Sequence, residues 1–265
     1  MSKVQILVAT MHQTDLSKYY SMNIQTDMLI ANQSDKYSYI KEMKDGNVVQ
    51  MITTETRGTS RNRNIALTAS SNEAEYIMFC DDDIILVDNY EKLVCDEFSA
   101  HPEADAIMFN IDTIAGREFK MKKTTQFKKA ARTDVTSAGV HGLVLKRELL
   151  LKKNIRFNEY FGPGTENYCG EDSIFLQDIL KSKMDLYLSP QKIADVDQSE
   201  STWFEGRTEK YFLTAGKVFA AIYPGIARLL AIRSAYRFSK RSDTNMSFKD
   251  ILSCYLKGID EYLKK

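Results

Sequence analysis

The chain has 265 residues, enough for one large domain or one domain with an extension. Its 36 basic and 36 acidic residues cancel, which removes any global electrostatic case for binding nucleic acid. A hydrophobic fraction of 43% supports a packed core, yet no stretch approaches the ~18 apolar residues of a membrane span.

In chain order, residues 4–9, 28–31 and 48–53 read as short strands, and residues 62–70 as a helix with Ile65, Ala66 and Ala69 on one side. Residues 76–80 are a strand rich in β-formers, 90–99 a helix and 106–111 another strand. This alternation predicts an α/β protein with a mixed, mostly parallel sheet flanked by helices. Residues 117–132 carry Arg117, Lys120, Lys122, Lys123, Lys128, Lys129 and Arg132 against the single acid Glu118. That run is either a solvated surface or a basic rim facing phosphates. Residues 140–145 are strand-like and 147–153 helical, and 161–168 have the Gly/Pro content of a loop. After Gly170-Glu171-Asp172, the apolar residues Phe175, Leu176, Ile179, Leu180 and Met184 recur at helical spacing.

Beyond residue 200 the character changes. Residues 209–223 and 226–238 read as helices separated by Pro224-Gly225, with aromatic residues interleaved with arginines. We therefore expect an α/β domain over 1–200 and a helical C-terminal extension over 201–265. The extension would cover the sheet, form a homodimer contact or meet a membrane. Cys80, Cys95, Cys169 and Cys254 are widely spaced and form no Cys-x-x-Cys pair, so free thiols and no zinc site are expected. The N-terminal residues lack signal-peptide character. The expected location is cytoplasmic, with peripheral contact on the inner face of the cell membrane left open.

Asp81-Asp82-Asp83 ends the apolar run of residues 76–80. A buried strand that ends in carboxylates brings them to the sheet edge where open α/β sheets hold ligands. Clustered carboxylates repel each other, and a hard divalent cation such as Mg²⁺ or Mn²⁺ relieves the repulsion. The same three residues can also be a solvated acidic turn.

Three segments stand in one order: the N-terminal strand ending at Thr10, Gly58-Thr59-Ser60-Arg61-Asn62-Arg63-Asn64, and Gly170-Glu171-Asp172, with the acidic strand end between the last two. Together they resemble the GT-A-fold, inverting glycosyltransferases of family 2, enzymes of bacterial polysaccharide assembly. The resemblance covers about residues 3–190. It implies a nucleotide-diphosphate sugar donor and an acceptor that is a glycan or linked to a polyprenyl diphosphate. It assigns the metal to Asp83 and Asp81, and the nucleotide sugar to Thr10, Asn32, Arg63, Asp81 and Asp82. It assigns the general base to Asp172, with Glu171 positioning the acceptor or acting as the base itself. Read from position alone, Asp172 is equally a helix cap.

The sequence departs from the family pattern in three places. Asn32 stands where many relatives have the Asp that reads a uracil, the acidic cluster lacks a fourth Asp, and the Gln-x-x-Arg-Trp signature of processive members is absent. The missing processive signature implies a single transfer per acceptor, and the resemblance favours a UDP-sugar as donor. Trp203 is a sugar-stacking or core residue, and His12, His101 and His141 share no metal-ligand spacing. A degenerate, non-catalytic assembly partner and a sugar-nucleotide pyrophosphorylase are the competing readings. The second would carry a Gly-rich basic loop after the first strand, where this chain has Thr10-Met11-His12-Gln13-Thr14-Asp15.

Overall fold

The computed structural model describes residues 3–116, 123–136, 138–198 and 206–265. Residues 117–122 of the basic run and Trp203 lie outside the described residues.

The chain opens with β1 (Val4–Met11), α1 (Lys18–Ser21), β2 (Asp27–Gln33), β3 (Ser38–Lys44), β4 (Asn47–Thr54) and α2 (Thr59–Thr68). β5 (Tyr76–Asp81), β6 (Ile84–Leu86), α3 (Tyr90–Ala100), β7 (Ala106–Gly116) and β8 (Lys128–Lys129) follow. Next come β9 (Leu143–Lys146), α4 (Arg147–Lys152), α5 (Glu171–Lys181) and β10 (Leu186–Gln198). The last three elements are α6 (Glu209–Ile222), α7 (Ala227–Phe238) and α8 (Phe248–Leu263).

Nine strands form one path, β3-β4-β2-β1-β5-β9-β7-β10-β6, with β8 pairing β10. The expectation of parallel pairing holds for β4-β2-β1-β5. The other half is mixed: β9 runs antiparallel to both β5 and β7, while β7 and β10 are parallel. Strands buried on both faces need apolar residues at every position. β5 meets this by turning Tyr76, Met78 and Cys80 into one core and Ile77 and Phe79 into the other. The first core packs against α3, and the second against α2, α4 and α5.

Residues 140–142, expected in a strand, form the turn before β9. Gly142 takes a positive φ there, and a Cβ on it would meet the Phe109 carbonyl at 2.7 Å. α6, α7 and α8 share a separate apolar cluster built on Phe212, Ala231, Phe238 and Tyr255.

A candidate glycosyl-transfer site at the strand ends

The pairing register sets one wall of the site. Ala9 pairs with Asp81 and Thr10 with Asn32, so Thr10, Asn32 and the acidic triplet share one edge of the sheet. The N-terminus of α5 supplies the opposite wall, and α2 ties the two together.

α2 is a polar helix that is nevertheless buried, and each inward polar side chain has a task. Ser60 donates to the Phe161 carbonyl (2.7 Å). Asn62 donates to the carbonyls of Thr10 (3.1 Å) and Ala31 (2.6 Å), closing the ends of β1 and β2. Asn64 exchanges two hydrogen bonds with the Phe157 backbone, both 2.9 Å. Arg63 is 2% exposed and donates from one guanidinium nitrogen to Asp81 and from the other to Asp172, each at 2.6 Å.

Burial opposes the charge on Arg63, but Asp81, Asp172 and Glu171 hold its pKa above the ordinary guanidinium value. Burial would push Asp81 up, yet Arg63 and, secondarily, His141 hold it below the usual carboxylate range.

Asp172 occupies the second position of α5, not its cap. The cap residue is Gly170, which has no side chain to bond with. The capping alternative for Asp172 therefore fails: its carboxylate accepts from Arg63 and, at 3.3 Å, from the Val140 N–H. Its neighbour Glu171 is buried, with its side chain close to Gly162. Burial and the nearby Asp172 charge push Glu171 up to about 8.

In the acidic triplet, Asp82 accepts from the Thr10 hydroxyl (2.5 Å), and Lys18 of α1 donates to the Asp82 carbonyl (3.1 Å). Asp83 has a buried carboxylate oxygen, Oδ1, with no hydrogen-bond partner. Burial and the Asp81 charge, with Asp82 adding, push Asp83 up to about 6 against an opposing pull from His141. No three His, Cys, Asp or Glu side chains form a ready metal cage among the described residues. The donor set is a pair of carboxylates with one orphaned oxygen. That fits Mg²⁺ or Mn²⁺, since Mg²⁺ usually takes one or two carboxylates and completes its shell with substrate phosphates and water.

Asn32, which the resemblance places at the nucleotide, lies at the end of β2 beside Thr10. It is fully buried, and its amide accepts from the Gln13 N–H (3.0 Å) while donating to the Gln13 carbonyl (2.8 Å) and the Thr53 hydroxyl (3.1 Å). Asn32 thus fixes the loop after β1.

The sequence profile described as glycosyl transferase family 2 matches residues 33–182. The chain belongs to glycosyltransferase family 2. Solved structures show the same GT-A fold. Residues 1–349 of S. aureus TarS in complex with UDP-GlcNAc superpose with a TM-score of 0.66 at 10% identity, over 99% of this chain and 92% of that one. The same piece with UDP gives 0.64 at 12% identity, over 98% and 81%. A longer S. aureus TarS chain gives 0.61 at 14% identity over 91% of this chain, which spans only 44% of that chain's length. Among curated protein sequences, none matches the chain.

Two residues beside the acidic triplet escaped the sequence reading. His141, which shares no metal-ligand spacing with the other histidines, sits on the turn before β9 with Nε2 3.7 Å from Asp81, and its Nδ1 is buried without a hydrogen-bond partner. A Cβ placed on Gly139 would touch both His141 and Asp172, so the turn lies between the two walls. Lys18 reaches Asp82 across 64 residues of sequence. Neither has a spacing signal. Only the position of His141 between two glycines, at the start of an apolar run, hinted at a turn.

Proposed function

We propose that this protein moves a single sugar from a nucleotide-diphosphate sugar to a hydroxyl of a glycan or polyprenyl-diphosphate-linked acceptor, inverting the anomeric centre. The setting is polysaccharide biosynthesis, as the family resemblance implies. The observation that carries the reading is Arg63, whose buried guanidinium joins the strand-end Asp81 to the helix-start Asp172. The donor-side carboxylates and the proposed base are thereby held in one fixed relation, which an in-line displacement requires. The recorded UDP-GlcNAc and UDP complexes of TarS support a uridine nucleotide here.

In this reading Asp172 keeps Oδ1 on Arg63 and takes the acceptor proton on Oδ2. The acceptor oxygen forms the new bond to the anomeric carbon as the bond to the nucleoside diphosphate breaks on the opposite side. Asp83 and Asp81 would hold the divalent cation, which when bound supplies Lewis-acid neutralisation of the leaving diphosphate. Thr10 holds Asp82, and Asn32 holds the loop beside the nucleotide. Residues 1–200 form the transferase domain and 201–265 the extension that serves acceptor, membrane or oligomer contacts.

A screen of nucleotide sugars scored by release of nucleoside diphosphate tests the activity. EDTA should abolish release and Mn²⁺ or Mg²⁺ restore it, and Asp83→Ala should lose donor binding and turnover together. Full activity in EDTA would remove the metal from the reading. Asp172→Asn should retain donor affinity and lose about 10²–10⁴-fold in turnover. The raised pKa of Glu171 favours one second reading, with Glu171 as the base. Near-normal turnover in Asp172→Asn with an inactive Glu171→Gln would establish it.

A further inference from the structure

The sequence drew attention to the mixture of aromatic and basic residues after residue 208, and the structure divides that mixture in two. Phe212 and Phe238 are buried, and Tyr211 and Phe219 pack against the same cluster. Tyr223 packs against Phe161 and Ile222. Arg228 is bound to Asp260, and Arg241 to Asp243. These residues build the helical trio.

A second set faces outward from α7. Its inner face is Ala227, Ala231 and Ala235, all buried. Its outer face carries Leu229 (67% exposed), Ile232 (47%) and Tyr236 (58%), at the spacing of one helical stripe. Arg233 and Arg237 flank the stripe, are exposed, and have no acidic partner among the described residues. Lys240 lies over the Tyr236 ring at the end of the helix. No Asp or Glu occurs anywhere from residue 210 to 242, although the chain as a whole is neutral.

We propose that this face of α7 is a docking surface for an anionic lipid bilayer. Leu229, Ile232 and Tyr236 enter the boundary between headgroups and acyl chains, and Arg233, Arg237 and Lys240 reach the lipid phosphates. An apolar stripe edged by long basic side chains is the arrangement of a helix lying in a membrane interface. Pairing two copies of this face about a two-fold axis would instead set the arginines of one copy against those of the other. An anionic surface complements both halves of the stripe. The inference depends neither on the sugar donor nor on catalysis.

Flotation of the full chain with vesicles tests it. The protein should float with phosphatidylcholine–phosphatidylglycerol vesicles at low salt, and not with phosphatidylcholine alone. Arg233→Glu with Arg237→Glu should lower partitioning by roughly 20-fold or more, since each basic residue near an anionic surface is worth roughly fivefold. Leu229→Ser with Ile232→Ser should also abolish flotation, which binding by charge alone would not predict. Both double variants should keep the wild-type melting temperature and donor affinity. Absence of flotation at low salt, or flotation that survives both double variants, overturns the proposal. So does a concentration-dependent dimer in sedimentation that the Leu229/Ile232 variant dissociates, because a second copy would then occupy the face.

Discussion

Glu171 and Asp172 are neighbours in sequence with opposite surroundings. Asp172 meets a guanidinium, while Glu171 is buried with little to stabilise its charge, and its pKa is pushed up to about 8. The ordinary value is 4.5, so the folded chain holds this proton more tightly than the unfolded chain does. The stability tied to Glu171 is then complete below pH about 4.5 and is lost as pH rises through about 8. Glu171→Gln mimics the protonated form at every pH. It should match the wild type near pH about 5 and melt several degrees higher above pH about 8. One pKa unit is worth about 1.4 kcal/mol, and ~1 kcal/mol moves the melting point of a chain this size by about 2–4 °C. Parallel melting curves across that range would mean that Glu171 is charged in the fold. At this scale the sequence was legible where a local motif places a residue, as with Asp81 and Asp172, which the fold brings together on Arg63. It was illegible where a residue acts through a turn or a distant partner, as His141 and Lys18 do. The hydrogen bonds of the Asn32 amide to the Gln13 backbone carry no sequence signal either.

At the scale of elements, α2 shows why helical periodicity alone describes this fold poorly. Its polar side chains face inward because the strand ends and the 157–161 loop offer them backbone partners. Asn62→Ala should leave the Thr10 and Ala31 carbonyls short of a donor, at a cost of about 1–3 kcal/mol for each group left unpaired. Urea unfolding should show a lower midpoint with an unchanged slope. An unchanged midpoint would mean that water replaces the amide at both carbonyls. The strands buried on both faces were readable from composition, but β3 was not, because it is an edge strand with Tyr39, Lys41, Glu42 and Met43 all exposed, which breaks the apolar run. The turn that precedes β4 did carry a signal. Asp45-Gly46, both at positive φ, is a hairpin turn of the primed type. β10 was hidden by Pro190 and by the register shifts that interrupt its pairing with β7.

On the scale of the whole molecule, the C-terminal helices bear on the proposed catalytic residues through close packing. α6 and α8 cross at two glycines: a Cβ on Gly216 would lie 2.2 Å from the Tyr255 carbonyl oxygen, and one on Gly258 2.0 Å from that of Leu213. Only residues without a side chain allow the helices to approach so closely. α6 in turn places Val218 against Gly170, where a Cβ would meet the valine at 2.3 Å, one residue before Glu171. The position of Glu171 and Asp172 is thus set partly by a crossing some 90 residues further along the chain. Gly258→Ala should force α8 off α6, with overpacking costs of about 1–3 kcal/mol. Its effect on the site should appear as lost turnover with donor affinity kept, because the strands next to Asp81 and Asp83 pack into other apolar clusters than α6 and α8 do. Val218→Ala separates this from simple destabilisation. It leaves the Gly216–Gly258 crossing intact and removes only the support under Gly170. A misplacement of ~1 Å at a catalytic group costs as much as ~10²-fold, so a loss of about tenfold or more in kcat with a small change in melting temperature is expected. Wild-type kcat in Val218→Ala would show that α5 holds its catalytic carboxylates without help from the extension.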